Sequence, residues 1–246
     1  MSKKVGVIIC AAGTSSRFGD KRKKQLADVA GRAAFLRSVE VFADRDDVKQ
    51  ILLGISEEEE ELIKVKWGDV LGFHGTKVFI GGTERFDTVS KGLELVKSEI
   101  EIVAVHDAAR PCVTKEWVDE VIKAASKTGA AILACPVRAT IKKCKAGLIV
   151  DTVDRSELYE AQTPQVFSQE LLKRAYGNMK NLDTTLISDD AQLVEALGEK
   201  VSIVETDASN IKLTHKSDIA IAEAILKSRP QPKREGPIGP YIEAQW

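Results

Sequence analysis

Short apolar runs at residues 5–10, 50–55, 77–80, 102–106 and 130–137 alternate along this chain with segments of helical periodicity. A run that is apolar on consecutive residues fits a strand buried on both faces, as in a parallel sheet covered by helices. The intervening segments read as those helices. Ser56 and Glu59 form a capping-box pattern before Leu62-Ile63, and Glu60 stands four residues before Lys64, the spacing of a helical ion pair. The acidic run 57–61 reads as a solvated first turn that complements the helix dipole. Thr114 is placed to cap a helix whose Trp117, Val118, Val121, Ile122 and Ala125 share one face. A last helix follows Ser217 and carries Ile219, Ala222, Ile225 and Leu226. The alternation predicts an α/β fold with a doubly wound, mostly parallel sheet and helices on both faces.

The rhythm breaks at 137–167. Two β-like pieces, 140–143 and 148–153, flank Lys145-Ala146-Gly147, which reads as a hairpin turned at Gly147. A lone hairpin is marginal in water, so this arm, about 137–160, must pack on its own subunit or on a partner. Residues 1–227 therefore read as one domain with an arm. Residues 228–246, with Pro230, Pro232, Pro237 and Pro240, read as an extended or disordered tail whose Trp246 could dock.

At 246 residues and 43% hydrophobic content the chain can build a full core. Its net charge of −1 argues against a general nucleic-acid binder. No run is apolar and long enough to span a membrane, and no signal peptide is legible, so the expected compartment is the cytoplasm. Cys10, Cys112, Cys135 and Cys144 include no C-x-x-C pair, which fits reduced thiols; Cys10 and Cys135 read as core residues.

Against that near-neutral background one loop is concentrated in positive charge. The first strand leads into Ala11-Ala12-Gly13-Thr14-Ser15-Ser16, followed by Arg17, Lys21, Arg22, Lys23 and Lys24, with only Asp20 opposing them nearby in sequence. Small residues let backbone amides approach phosphate oxygens, and the cations supply charge for a polyphosphate. The plainer alternative is a solvated basic loop. The loop matches neither G-x-G-x-x-G nor a Walker sequence, which argues against a hydride-transfer enzyme and a P-loop nucleotidase. H-E-x-x-H and G-x-S-x-G are missing, and His74, His106 and His215 are too few for a histidine-rich metal centre. Other loops leave the carboxyl ends of predicted strands, the edge where open α/β sheets bind ligands. One begins Gly81-Gly82-Thr83-Glu84-Arg85, and another His106-Asp107-Ala108-Ala109-Arg110-Pro111. An unpaired Asp107 at a strand end would be costly, so it either caps or pairs with Arg110, or sits near a metal-bound phosphate. His106 reads as a packed or orienting histidine.

These pieces, in order, resemble the 2-C-methyl-D-erythritol 4-phosphate cytidylyltransferase family. The resemblance is carried by Ala11-Ala12-Gly13 with Arg17, Lys24-Gln25, Gly81-Gly82 with Arg85, the segment from His106 to Pro111, and Pro136-Val137-Arg138-Ala139-Thr140. It continues through Thr152-Val153-Asp154-Arg155, Gln162-Thr163-Pro164-Gln165 and Asn210-Ile211-Lys212-Leu213-Thr214. It implies a Rossmann-like nucleotidyltransferase fold, and cytidylyl transfer from CTP to a methylerythritol phosphate with release of pyrophosphate. It also implies Mg²⁺ or another divalent cation, with Asp107 near it, and a homodimer whose arm reaches into the neighbouring subunit. By the same resemblance Arg17 and Lys24 hold the triphosphate and the charge that grows on it. Ala11, Ala12, Gly13, Gly82, Thr83, Thr88, Asp107 and Ala108 form the CTP site. Arg155 and Lys212 position the acceptor, with Arg110, Thr140 and Thr163 in contact with it. For Arg155 taken alone, a salt bridge to Asp154 or Glu157 is the plainer alternative.

The chain departs from the family pattern at several positions. Ser15 replaces a usual glycine and Phe18 a methionine, Thr83 stands where an acidic residue is common, and Thr88 where serine is usual. The last two bear on base choice. Ala208-Ser209-Asn210 stands where Asp-Asn is common, which bears on how Lys212 is held. Two other functions remain: a ribitol-phosphate cytidylyltransferase, disfavoured by Ala11-Ala12-Gly13 and Ala108-Ala109, and a non-catalytic nucleotide-binding homologue, disfavoured by retention of both sets of cations.

Overall fold

The computed structural model describes residues 3–13, 18 and 23–230. Arg17, Lys21, Arg22, Asp20, Ser15 and Trp246 lie outside them. Among the described residues the order is β1 (Val5–Cys10), β2 (Asp28–Val29), β3 (Arg32–Ala33), α1 (Ala34–Ala43), β4 (Val48–Ile55), α2 (Glu60–Phe73), β5 (Thr76–Ile80) and α3 (Arg85–Leu95). Next come β6 (Ile102–Asp107), α4 (Lys115–Thr128), β7 (Ala130–Pro136), β8 (Ile141–Lys145), β9 (Leu148–Val153) and β10 (Tyr159–Ser168). The series closes with α5 (Gln169–Gly177), α6 (Asp190–Glu195), β11 (Ser202–Glu205) and α7 (Asp218–Ser228).

Seven strands form one sheet in the order β11-β7-β10-β6-β1-β4-β5. All neighbours run parallel except β10, which is antiparallel to both β6 and β7. Each parallel apolar run occupies a strand, as expected. The apolar strands bury Ile8, Leu52, Val103 and Val105 toward one layer with α3 and α5, and Val7, Leu53, Ala104 and Leu133 toward another with α1, α2 and α4. Helices on both faces are thus required by strands with no polar side. A third cluster joins Phe18, Ala27, Val29, Ala34, Ala109 and Leu213 to Ala222 of α7, so Phe18 is a packing residue.

Sequence reasoning left β10 and β11 unassigned. β10 contains Pro164, which has no N–H for a ladder and which demotes a run read in isolation. The structure accommodates it where the β10–β7 register shifts, between Ala161 and Gln165.

Local expectations met mixed outcomes. Thr114 accepts the Trp117 amide at 3.2 Å and caps α4, which ends at Gly129 with φ +88°. Ser56 makes no such cap: its hydroxyl donates to the Glu59 carboxylate at 2.8 Å. The acidic run is only partly solvated, because Glu59 is 4% exposed and takes part in buried contacts described below. Glu60 and Lys64 form no ion pair. Ser217 gives α7 no side-chain cap; the Asp218 carboxylate instead accepts the amides of Thr214 and His215 at 2.7 Å each.

The predicted hairpin is β8–β9, turned at Ala146 (φ +49°) and Gly147 (φ +79°). Positive φ at both central residues is the signature of a turn whose twist matches its strands. Its base is closed by the Val137 amide on the Leu158 carbonyl at 3.0 Å and by the pairing of Tyr159 with Pro136. Leu148, Ile149 and Val150 are exposed on it. No helix among the described residues is long and apolar enough to cross a membrane.

Candidate active site

β1 pairs with β4 on one side and β6 on the other, so the loops after β1 and β6 diverge at a switch in strand order. A cleft opens there. Cys10, Ala11, Ala12, Gly13, Lys24 and Gln25 line it from the first loop, Gly82, Thr83, Glu84, Arg85 and Thr88 from the loop after β5, and Asp107, Ala109 and Lys212 from the remaining side.

The first loop is shaped by a buried amide. Gln25 Nε2 donates to the carbonyls of Ala11 at 2.6 Å and Gly13 at 3.3 Å, and the Glu59 carboxylate lies 3.3 Å from the same nitrogen. Lys23 donates to Ser56 Oγ at 2.7 Å and pairs with Glu58 and Glu59 at 3.5 and 3.6 Å. The acidic run, distant in sequence, therefore opposes part of the basic loop, and Lys23 is committed to it. Lys24 lines the cleft.

The second loop depends on its glycines. A Cβ on Gly82 would lie 2.1 Å from Asp87 Cβ, and one on Gly81 would lie 2.7 Å from Thr88 Oγ1. Thr88 is buried; its hydroxyl accepts the Gly82 amide at 3.0 Å and donates to the Glu84 carbonyl at 3.3 Å. Glu84 and Asp87 complete a reciprocal capping box at the start of α3. Thr83 is exposed at the rim.

Asp107 is the electrostatic centre. Arg85 Nε donates to its Oδ1 at 2.8 Å, and Lys212 Nζ lies 2.6 Å from its Oδ2. The pairing expected with Arg110 is thus taken by Arg85 and Lys212. Burial alone would raise the Asp107 carboxyl, but Arg85, Lys212 and Arg110 overcome that and hold it well below the ordinary carboxylate range. On its other side Arg85 Nη1 faces Asp190 Oδ2 at 2.8 Å. Sequence reasoning quoted Arg85 as a motif residue but gave it no role, and it missed Asp190, which lies far along the chain in a short helix.

The floor beneath Asp107 is a polar network. Thr163 Oγ1 accepts the Asp107 amide at 3.0 Å and contacts His106 Nδ1 at 3.1 Å. His106 is fully buried, and that burial pushes its pKa down to about 3, so it is a neutral packing histidine. Asn210 Nδ2 donates to Gln162 Oε1 at 2.9 Å and to the Thr163 carbonyl at 3.1 Å, fixing the segment that carries Lys212. Arg110 Nη1 donates to the Asn210 carbonyl at 2.7 Å, and burial lowers the Arg110 pKa. Cys10, expected in the core, is half-buried at the cleft wall, where burial pushes its thiol up to about 12.

The expected site residues therefore divide. Ala11, Ala12, Gly13, Lys24, Gly82, Thr83, Thr88, Asp107 and Lys212 come together at one cleft. Thr163 and Ala108 are buried beside it, and Arg110 braces its edge. Thr140 and Arg155 are exposed on the arm; Arg155 makes no salt bridge with Asp154 or Glu157, and the Asp154 carboxylate is taken by Ser156. Arg17 lies outside the described residues.

Among the described residues no cluster of three or more His, Cys, Asp or Glu could cage a metal. Both Asp107 oxygens already face cations. With both oxygens paired, the described residues offer no cage for a resident ion; a divalent ion here would take most of its ligands from phosphates and water.

A family model described as 2-C-methyl-D-erythritol 4-phosphate cytidylyltransferase matches residues 5–228. The protein of that name from Endomicrobium trichonymphae is 43% identical over 226 residues, spanning 92% of this chain and 100% of the relative. The one from Alkaliphilus oremlandii is 37% identical, spanning 95% of this chain and 98% of the relative. Among solved structures, the 2-C-methyl-D-erythritol 4-phosphate cytidylyltransferase of Thermus thermophilus superposes with a TM-score of 0.76 at 32% identity, covering 91% of this chain and 99% of that one. With the doubly wound sheet and the ordered motifs converging on its switch point, the chain belongs to the 2-C-methyl-D-erythritol 4-phosphate cytidylyltransferase family.

Proposed function

We propose that this nucleotidyltransferase joins CTP to 2-C-methyl-D-erythritol 4-phosphate, giving 4-diphosphocytidyl-2-C-methyl-D-erythritol and pyrophosphate, a step in non-mevalonate isoprenoid precursor synthesis. The observation that carries the reading is the convergence of Lys24, Asp107 and Lys212 on one cleft between the two small-residue loops.

An acceptor phosphate oxygen attacks the α-phosphorus of CTP; the new P–O bond forms as the bond to the β-phosphate oxygen breaks, and pyrophosphate leaves. The protein's task is in-line positioning and charge neutralisation rather than covalent catalysis. Lys24, with Arg17, holds the triphosphate and stabilises the charge on the pentacoordinate centre. Ala11, Ala12, Gly13, Gly82, Thr83 and Thr88 bound the nucleotide; Thr88 acts by holding the Gly82 turn, since its hydroxyl is already engaged there. Lys212 meets the acceptor phosphate from the Asp107 side. Mg²⁺ or another divalent ion, when bound with the triphosphate beside Asp107, supplies neutralisation of phosphate charge.

Arg155 and Thr140 sit on the exposed arm rather than in this chain's own cleft, and the arm presents Leu148, Ile149 and Val150 to solvent. Both facts favour a homodimer in which each arm completes the partner's acceptor site. The domain then comprises 1–227 with its arm, followed by the proline-rich tail. The compartment we propose is the cytoplasm.

The test is pyrophosphate release over a grid of nucleoside triphosphates and polyol phosphates. Turnover confined to CTP with methylerythritol phosphate is expected. Preference for ribitol 5-phosphate overturns the acceptor, and CTP binding without pyrophosphate release overturns the enzyme.

A further inference from the structure

At the cleft wall, Arg85 is clamped between two buried carboxylates. Asp107 takes its Nε edge on the cleft side, and Asp190 faces Nη1 from the side of α6. Asp190 is 1% exposed, so its charge has no access to bulk water and must be held by neighbours. Its Oδ1 accepts the Tyr176 hydroxyl of α5 at 2.6 Å. The helix that carries it is itself fixed to the sheet: Gln165 Oε1 of β10 accepts the amides of Asp190 and Ala191 at 2.9 and 3.1 Å, while Gln165 Nε2 donates to Asp189 Oδ2 at 2.8 Å. A chain of polar contacts thus runs Tyr176–Asp190–Arg85–Asp107–Lys212, from the far layer to the cleft.

We infer that Asp190, seated by Tyr176, is a positioning residue of this site: it orients Arg85, which orients Asp107, which in turn places Lys212. Three observations support it. Arg85 is forked and planar: its Nε hydrogen bond to Asp107 sets one edge, and the Asp190 charge, 2.8 Å from Nη1 but without hydrogen-bond geometry, holds another by electrostatic attraction. Arg85 Nη2 and Asp190 Oδ2 are both buried with no hydrogen-bond partner, which leaves the Asp107 hydrogen bond and the charge attraction to Asp190 to define where the guanidinium sits. Lys212 Nζ has Asp107 as its only ion-pair partner among the described residues, so any shift of that carboxylate moves the lysine. The charges balance along the chain, two cations against two anions; removing the Asp190 charge leaves Arg85 leaning on Asp107 alone. Burial and the Asp190 charge also drive the Tyr176 hydroxyl well above its ordinary range, so it remains a donor.

The inference rests on the reading of the cleft as the site where Lys212 meets the acceptor phosphate, and the test separates the two. The full chain is compared with Asp190→Asn, which keeps the shape and removes the charge, and with Tyr176→Phe, the milder change. Folding of each is checked by near-UV circular dichroism. With CTP and methylerythritol phosphate, Asp190→Asn should raise KM for the acceptor about tenfold while KM for CTP stays within about twofold. A purely structural defect would lower the active fraction and leave both KM values in place. Tyr176→Phe should raise the acceptor KM about threefold. Independently of turnover, acylation of Lys212 by acetic anhydride, read by mass spectrometry, should run about threefold faster in Asp190→Asn, with exposed Lys123 and Lys127 unchanged. Folded variants with an unaltered acceptor KM and unaltered Lys212 acylation would overturn the inference. If Asp190→Asn does not fold, Tyr176→Phe decides by the same two readouts. A wild-type chain that turns over neither acceptor removes the proposed function, and the acylation rates still decide the positioning role.

Discussion

At the scale of single residues, the proposed function separates side chains that carry charge to a ligand from those that only hold others in place. Lys24, which lines the cleft, is proposed for the first group. Lys24→Ala should lower kcat by two to three orders of magnitude, about 3 kcal/mol of barrier, and change folding stability by less than about 0.5 kcal/mol. Stopped assays of pyrophosphate release alongside urea unfolding check both, and a near-normal kcat in a folded variant removes Lys24 from the mechanism. His106 belongs to the second group. Its folded pKa of about 3 lies below the ordinary histidine value, so the unfolded chain takes up its proton first as pH falls. Its contribution to stability is complete above pH 6.5 and declines toward pH 3, at about 1.4 kcal/mol per pH unit. His106→Gln should flatten that part of the pH dependence, measured by urea unfolding at several pH values between these limits. Equal slopes in the two proteins would show that His106 is charged in the native state.

Elements show what was legible in the chain and what was not. Strands buried on both faces announce themselves, because their side chains must be apolar at every position; β1, β4, β6 and β7 were readable for that reason. β10 was not, because its polar middle, Gln162-Thr163-Pro164-Gln165, serves the site and its supports rather than the core. The cleft residues from the two small-residue loops were readable because close backbone approach demands alanine and glycine there. Asp190, Glu59 and Gln165 act across long sequence separations, and a single chain gives no local signal that a carboxylate will meet a particular cation. The loop after β5 makes the sharpest prediction at this scale. Gly82→Ala places a methyl 2.1 Å from Asp87 Cβ, which only movement of the capping box can relieve. The substitution should cost about 1–3 kcal/mol of stability and raise KM for CTP, as thermal unfolding and initial rates would record.

For the whole molecule, the decisive question is whether one folded chain holds a complete site. Arg155 and Lys212 lie on parts of the chain that this subunit does not bring together at its cleft. Arg155→Ala and Lys212→Ala should each mainly weaken use of the acceptor. Under the proposed homodimer, mixing and reassociating the two variants should restore roughly a quarter of wild-type activity, because half of the dimers would be mixed and each would have one intact site. No recovery in verified mixed dimers would count against shared sites. The way the hairpin joins the sheet bears on how such proteins diversify. The chain leaves at Pro136 and returns at Tyr159, and these two residues are direct neighbours across the ladder. The protrusion is a self-contained cassette hung from a closed doorway: its outer turn, beyond Thr140 and Arg155, can change in length and sequence without unpicking any rung below it.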